Sequence, residues 1–94
     1  MGGGVGVGAL GVLVGGVRGR VVEVLAEGRW LPARRVFIAL RRRGARFSYQ
    51  AVHKALRKLE AEGIAGYSKE GFFLSREWAQ EVVRQLAVFE AKLV

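Results

Sequence analysis

The stretch from residue 48 to residue 63, SYQAVHKALRKLEAEG, constrains the fold most strongly, because its apolar and polar residues separate on a helix. At about 100° per residue, one side of that helix carries Tyr49, Ala51, Val52, Ala55, Leu56 and Leu59. The other side carries Gln50, His53, Lys54, Arg57, Lys58, Glu60 and Ala61. A helix buried along its apolar side therefore holds a mostly cationic ridge out to solvent. Because Glu60 and Glu62 lie at the C-terminal end of this helix, we expect the N-terminal two thirds of the helix to approach phosphate.

The positive charge of the chain is concentrated in the part that ends with this ridge. The 94 residues include 16 Lys and Arg against 8 acidic residues, all of them Glu. Twelve basic and two acidic residues lie between Arg18 and Lys58, whereas four basic and six acidic residues follow. This asymmetry predicts a polyanionic partner for one surface, although a basic face is also typical of an ordinary solvated helix.

The size and the cysteine content of the chain limit its class. A chain of 94 residues makes one small domain, whose marginal stability favours pairing with a second copy. Without cysteine there is no disulfide, no thiolate nucleophile and no zinc knuckle. The composition fits a reducing compartment, and we expect a cytoplasmic protein.

Residues 1–17, MGGGVGVGALGVLVGGV, carry eight of the fourteen glycines and no charge. We expect a Gly/Val-rich N-terminal arm or a non-native extension from an early start codon, with a turn or strand over 9–14 as an alternative. Gly6, Gly8 and Gly11 match G-x-G-x-x-G, but that fingerprint needs a preceding strand. The segment lacks the features of a secretory signal and is too short and glycine-rich to span a bilayer.

Two further helices are predicted between this arm and the ridge. The first covers 18–28, with Val21, Val22 and Leu25 inward and Gly28 at its C-terminal end. The second begins at Pro32, which is tolerated in a first turn, and ends before Gly44.

The arginines of the second predicted helix need separate explanations. Arg34 and Arg35 lie in the first turn, where the helix dipole disfavours cations. A docked phosphate would explain their position, so we expect them to contact a nucleic-acid backbone. The run Arg41 to Arg43 lies in a last turn that the dipole favours, and it suits either capping or nucleic-acid contact.

A β-hairpin and a final helix are predicted after the ridge. Strands over 64–68 and 72–75 surround Lys69, Glu70 and Gly71, and Ser75 is suited to cap a helix from Arg76. The final helix carries an apolar stripe of Trp78, Val82, Leu86, Phe89 and Leu93. We expect this stripe to form a homodimer interface; packing against its own domain is the alternative.

This order of elements resembles a winged helix-turn-helix domain, a mainly α fold of the α+β class with a small β-hairpin wing. The run ALRKLEAEGI at 55–64, with Tyr49 and Val52 ahead of it, is similar to the recognition-helix segment of PadR-, MarR- and ArsR-like regulators. The resemblance covers 18–75 and implies a winged helix-turn-helix domain there, with a C-terminal dimerisation helix over 76–94.

In that family the third helix enters the major groove, the second touches the backbone, and the wing reaches the minor groove. Carried over, the resemblance implies base contacts by Gln50, His53, Lys54 and Arg57, backbone contacts by Arg34, Arg35, Lys58 and Arg46, and a wing contact by Lys69. The wing is shorter and less cationic than in many relatives. The sequence also lacks a ligand-sensing segment and a Cys/His metal sensor.

The expected function is therefore that of a dimeric, transcription-regulator-like protein that binds double-stranded DNA without a cofactor or metal. Gln50 suits adenine and Arg57 suits guanine, whereas the other candidates are residues that contact phosphate without reading sequence. One alternative is a nonspecific nucleoid binder of DNA or RNA. Another is a protein–protein adaptor, which would carry an apolar patch on the third helix in place of the cationic ridge.

Enzyme, metal and membrane functions are not expected. His53 is the only histidine, and a lone histidine without Cys or Asp nearby does not assemble a metal site. Three serines, one histidine and surface glutamates do not supply a nucleophile, a base and an orienting acid. Basic helices also bind anionic lipid, but the ridge lacks the Trp or Phe that would insert.

Overall fold

The computed structural model describes residues 16–28 and 30–93, apart from the side chain of Leu93. The described chain forms helix α1 (Gly16–Leu25), helix α2 (Ala33–Arg42), helix α3 (Tyr49–Ala61), strand β1 (Ala65–Ser68), strand β2 (Gly71–Leu74) and helix α4 (Arg76–Leu93). The predicted α+β class, mainly helical with a small antiparallel hairpin, is confirmed. The predictions for 1–15, including the G-x-G-x-x-G match and the turn or strand over 9–14, lie outside the described residues.

Helix α1 lies at the centre of the hydrophobic core and packs against α2 and α3. The predicted inward residues Val21, Val22 and Leu25 are all buried. The helix begins two residues before the predicted start, so that Gly16 and Val17, assigned to the arm, belong to it. It also ends earlier than predicted, because residues 26–28 form a turn in which Gly28 has a φ of +85°.

Helix α2 buries Val36 and Leu40 and leaves Phe37 half-buried at its edge. Pro32 was predicted as its first residue but is instead its N-cap, with an extended backbone at φ −60° and ψ 156°. Proline suits both places because its fixed φ is compatible with each and it has no N–H to leave unpaired.

Helix α3 begins as its sequence predicts. The Ala51 N–H donates to Ser48 Oγ at 3.1 Å, which makes Ser48 the N-cap. The buried stripe consists of Val52, Ala55, Leu56 and Leu59. Tyr49 was expected on this side but is 42% exposed. Its position in the first turn brings its ring against Phe37 of α2 instead of into the core.

The two strands form an antiparallel hairpin in which Tyr67 lies opposite Phe72 and Ser68 lies opposite Gly71. Strand β1 begins one residue later than predicted, and β2 is shifted by one residue towards the N-terminus, so Gly71 is paired and does not belong to the turn. On its other side, β2 meets Leu31 in an isolated bridge. The Leu31 N–H donates to the Phe72 carbonyl at 2.9 Å and the Phe72 N–H donates to the Leu31 carbonyl at 2.8 Å.

Helix α4 is capped by Ser75, whose Oγ accepts a hydrogen bond from the Trp78 N–H at 3.1 Å. Its first half belongs to the body, because Trp78 packs against the core and Val82 is only 7% exposed. Both residues were predicted at a dimer interface; Val82 is buried within the chain and has little surface for a partner, whereas Trp78 is only partly covered. No helix in the described ranges combines the length and apolar character that a membrane span requires.

Candidate nucleic-acid interface

Five polar side chains of α3 project away from its buried stripe, and we call them the α3 ridge: Gln50, His53, Lys54, Arg57 and Lys58. All are exposed except His53, which is half-buried. Gln50, His53, Lys54 and Arg57 line one shallow depression together with Tyr49. The four residues predicted to reach bases therefore lie together on the surface.

A row of side chains joins this depression to α2. The Phe37 and Tyr49 rings meet edge to face with centroids 5.8 Å apart, and the Tyr49 and His53 rings lie 5.9 Å apart at 31°. At the other end, the Arg41 guanidinium lies 5.6 Å from the centre of the Phe37 ring. These contacts fix the orientation of the first two turns of α3 relative to α2.

Arg57 is more constrained than the sequence indicated. Its guanidinium lies 5.1 Å from the centre of the Tyr67 ring and 5.4 Å from that of Phe72. It also pairs with Glu60, with Nη1 and Oε1 3.0 Å apart. Arg57 therefore lies at the junction of α3 and the hairpin, and its Nη1 is already engaged by Glu60.

Several arginines form ion pairs with glutamates, which neutralise their charge. Arg18 pairs with Glu62, Arg43 with Glu27, and Arg84 with Glu81. The pairing of Arg43 favours a structural role for this residue of the Arg41 to Arg43 run.

The predicted phosphate contacts remain exposed. The ion pairs found among the described residues do not include Arg34, Arg35, Arg46, Lys54, Lys58 or Lys69, and all six side chains are exposed. Arg34 and Arg35 lie in the first turn of α2, where the N-cap Pro32 offers no side-chain hydrogen bond. Lys69 lies in the hairpin turn. The net positive surface is therefore distributed over α2, the α2–α3 connector, α3 and the turn.

A second concavity lies at the connector between α2 and α3. It is lined by Arg41, Gly44, Ala45, Arg46, Phe47 and Ser48. Two arginines here adjoin the N-terminus of α3, where the helix dipole also favours an anion. Sequence analysis assigned Arg46 to the nucleic-acid backbone but left Arg41 undecided, because its place in a last turn has an ordinary explanation. Its proximity to Arg46 follows from the tight turn at Gly44, which has a φ of +83°.

Within the described ranges, no group of three potential ligand side chains lies close enough together to hold a metal ion. Comparison with known proteins finds no matching family model, no matching curated protein and no matching solved structure. Any assignment of function consequently depends on the geometry and charge of the surfaces described above.

Proposed function

We propose that the chain is a winged helix-turn-helix protein that binds double-stranded DNA, with α3 in the major groove, in the manner of a transcription regulator. The α3 ridge is the observation that carries this proposal. Helix α3 is held along one buried stripe and projects Gln50, Lys54 and Lys58 from the other side. A helix with its side chains is about 10–12 Å wide, which matches a B-DNA major groove of about 12 Å.

The hairpin supports this proposal because it follows α3 directly and is joined to it through Arg57. The Leu31 bridge adds a third extended segment beside β2. A wing built in this way would lie beside the groove that α3 enters, with Lys69 at its turn directed towards the adjacent backbone.

Backbone contacts are assigned to exposed arginines and lysines on three segments. Arg34 and Arg35 would contact phosphate at the start of α2, Arg46 would do so at the connector, and Lys58 at the end of the α3 ridge. We add Arg41, because it lines the same concavity as Arg46. Such contacts position the protein and supply most of its affinity, whereas Gln50 and its neighbours would read bases.

The second half of α4 supports a dimer. Val83, Leu86 and Phe89 are 65%, 44% and 56% exposed, and they line an open groove together with Ala87 and Glu90. Leu86 and Phe89 continue the stripe that begins with the half-buried Trp78 and the buried Val82. Pairing of two copies through Leu86 and Phe89 would cover these side chains and present two ridges to one duplex.

Duplex DNA is favoured over the rival partners by the chemistry of α3. A protein–protein adaptor would present an apolar patch in place of the cations on this helix, whereas Lys54, Arg57 and Lys58 all project from the α3 ridge. Duplex RNA has a deep, narrow major groove that a helix enters poorly. Binding to DNA would place the protein with the nucleoid in the cytoplasm.

The test is a salt titration of binding to a fluorescent duplex. We expect log K to fall linearly with log salt, with a slope of about −0.9 for each phosphate neutralised. Random DNA, single strands and duplex RNA then compete at one fixed salt concentration. Equal competition by all of them would identify a nonspecific nucleic-acid binder, and association that is insensitive to salt would contradict the proposal.

A further inference from the structure

The depression on the α3 ridge has apolar walls, although the ridge itself is polar and cationic. It has a volume of ≈ 410 Å³ and is lined by Tyr49, Gln50, His53, Lys54 and Arg57. The rings of Tyr49 and His53 and the methylene stems of Lys54 and Arg57 supply the apolar surface. The lining favours an apolar ligand group, and the surrounding Lys54 and Arg57 favour one that lies among anions.

The aromatic walls are held in place before any ligand binds. Ser48 caps α3 one residue before Tyr49, and the Tyr49 ring contacts both Phe37 and His53. Side chains that are already ordered lose little conformational entropy on binding, so even a small contact contributes to affinity.

The same ring contacts argue against a stacked base. Phe37 meets the Tyr49 ring from α2, and His53 meets it from the next turn of α3, with centroids 5.8 and 5.9 Å away. A flat nucleobase needs a broad open ring face for stacking, and these contacts occupy part of the Tyr49 surface. A single methyl group needs only the surface that these rings already present.

We infer that this depression receives the 5-methyl group of thymine in the major groove. This inference rests on the proposed function, since it names the feature of duplex DNA that the α3 ridge reads. The thymine methyl is the apolar group that a major groove displays, and phosphates flank it. Gln50 lies at the same depression and has the amide pattern that pairs with N6 and N7 of adenine. Tyr49, His53 and Gln50 together therefore select an A·T pair or two adjacent ones.

The test removes the methyl group from the DNA and leaves the protein unchanged. Binding is measured at one salt concentration to an alternating A–T duplex and to a duplex of equal length in which deoxyuridine replaces every thymidine. The uracil duplex should bind about fourfold more weakly for each methyl group contacted, from about 0.8 kcal/mol for a buried methylene-sized group.

Three variants assign the discrimination to the depression. Tyr49→Ala should bind both duplexes equally, whereas Tyr49→Phe should keep the preference because it keeps the ring. Trp30→Ala removes another exposed aromatic, which contacts Phe73 outside the depression, and should also keep the preference.

Three other results would contradict the inference. Equal affinity of the natural protein for the two duplexes, with binding still dependent on salt, overturns the inference and leaves the proposed function standing. Discrimination that survives Tyr49→Ala removes the methyl contact from this depression. Failure to bind either duplex overturns the inference and the proposed function together.

Discussion

The guanidinium of Arg57 lies 5.1 Å from the centre of the Tyr67 ring, so a single side chain of α3 spans to the hairpin. Phe72 lies opposite Tyr67 in the hairpin, and its ring centre is 5.4 Å from the Arg57 guanidinium. Glu60, on the next turn of α3, forms an ion pair with Arg57. In the proposed complex these two elements approach neighbouring grooves. Arg57 thus links the two elements, a role different from the guanine contact that its residue type suggests.

Replacement of Arg57 by Ala should therefore act on stability as well as on binding. We expect the free energy of unfolding to fall by about 0.5–1 kcal/mol from the lost cation–π contacts, with a small affinity loss that is uniform across DNA sequences. Chemical denaturation and fluorescence anisotropy measure the two effects. Lys58→Ala is the control, since it removes one charge from the same helix and Lys58 takes no part in these ring contacts.

A different pattern of affinity and stability changes would indicate that Arg57 contacts guanine directly. If the affinity loss were about 1–3 kcal/mol and confined to duplexes with a particular guanine, while stability stayed unchanged, Arg57 would act as a base contact and its ring contacts would contribute little to stability.

Arg34 and Arg35 should behave as phosphate contacts. Arg34→Gln and Arg35→Gln are each expected to weaken binding to all sequences about equally and to reduce the magnitude of the salt slope by about 1. Titrations of affinity against salt measure both effects. The matched control is Arg84→Gln on α4, because Arg84 already pairs with Glu81 and is remote in sequence from α2. A salt slope unchanged in both Arg34→Gln and Arg35→Gln would show that the first turn of α2 does not touch the DNA backbone.

Two glycines of the hairpin should respond differently to an added methyl group. A Cβ at Gly71 would lie 2.4 Å from the Leu31 carbonyl carbon and 2.6 Å from the Pro32 nitrogen, and Gly71 has a φ of +131°. Backbone atoms move little, so Gly71→Ala should break the Leu31 bridge and reduce stability by roughly 2 kcal/mol or more.

The comparison variant is Gly66→Ala. A Cβ there would lie 2.3 Å from the tip of the Phe73 ring, which is a side chain that can rotate away. Denaturant unfolding should therefore rank Gly71→Ala as the more destabilising of the two. The reverse ranking would mean that Phe73 is held more rigidly than the Leu31 segment.

The starts of α3 and α4 could be predicted from the sequence because they have local causes. Ser48 and Ser75 cap the helices that follow them, and both caps are confirmed by hydrogen bonds to main-chain N–H groups. The buried stripe of α3 follows from its period, and four of its six predicted members are fully buried.

The remaining features depend on contacts between segments distant in sequence. Leu31 forms a bridge of one residue, which has no periodic pattern to reveal it. The engagement of Arg57 depends on the hairpin folding back beside α3, and Tyr49 is exposed because its helix begins beside Phe37. The apolar stripe that contains Val82 was predicted correctly. The helical period does not show at which residue of α4 the contact with the rest of the domain ends.

The change from buried to exposed apolar residues along α4 leads to a prediction about dimer formation. Leu86 and Phe89 lie beyond the buried Val82 on the same stripe, so a charge at either position should disrupt a dimer interface. Leu86→Glu is expected to give monomers in sedimentation equilibrium, and binding to duplex DNA should weaken because two linked ridges become one. Val88→Glu is the control: Val88 is 51% exposed but lies on another side of α4, so this variant should remain dimeric. An unchanged mass for Leu86→Glu, or monomers of the natural chain, would exclude the α4 stripe as the dimer interface.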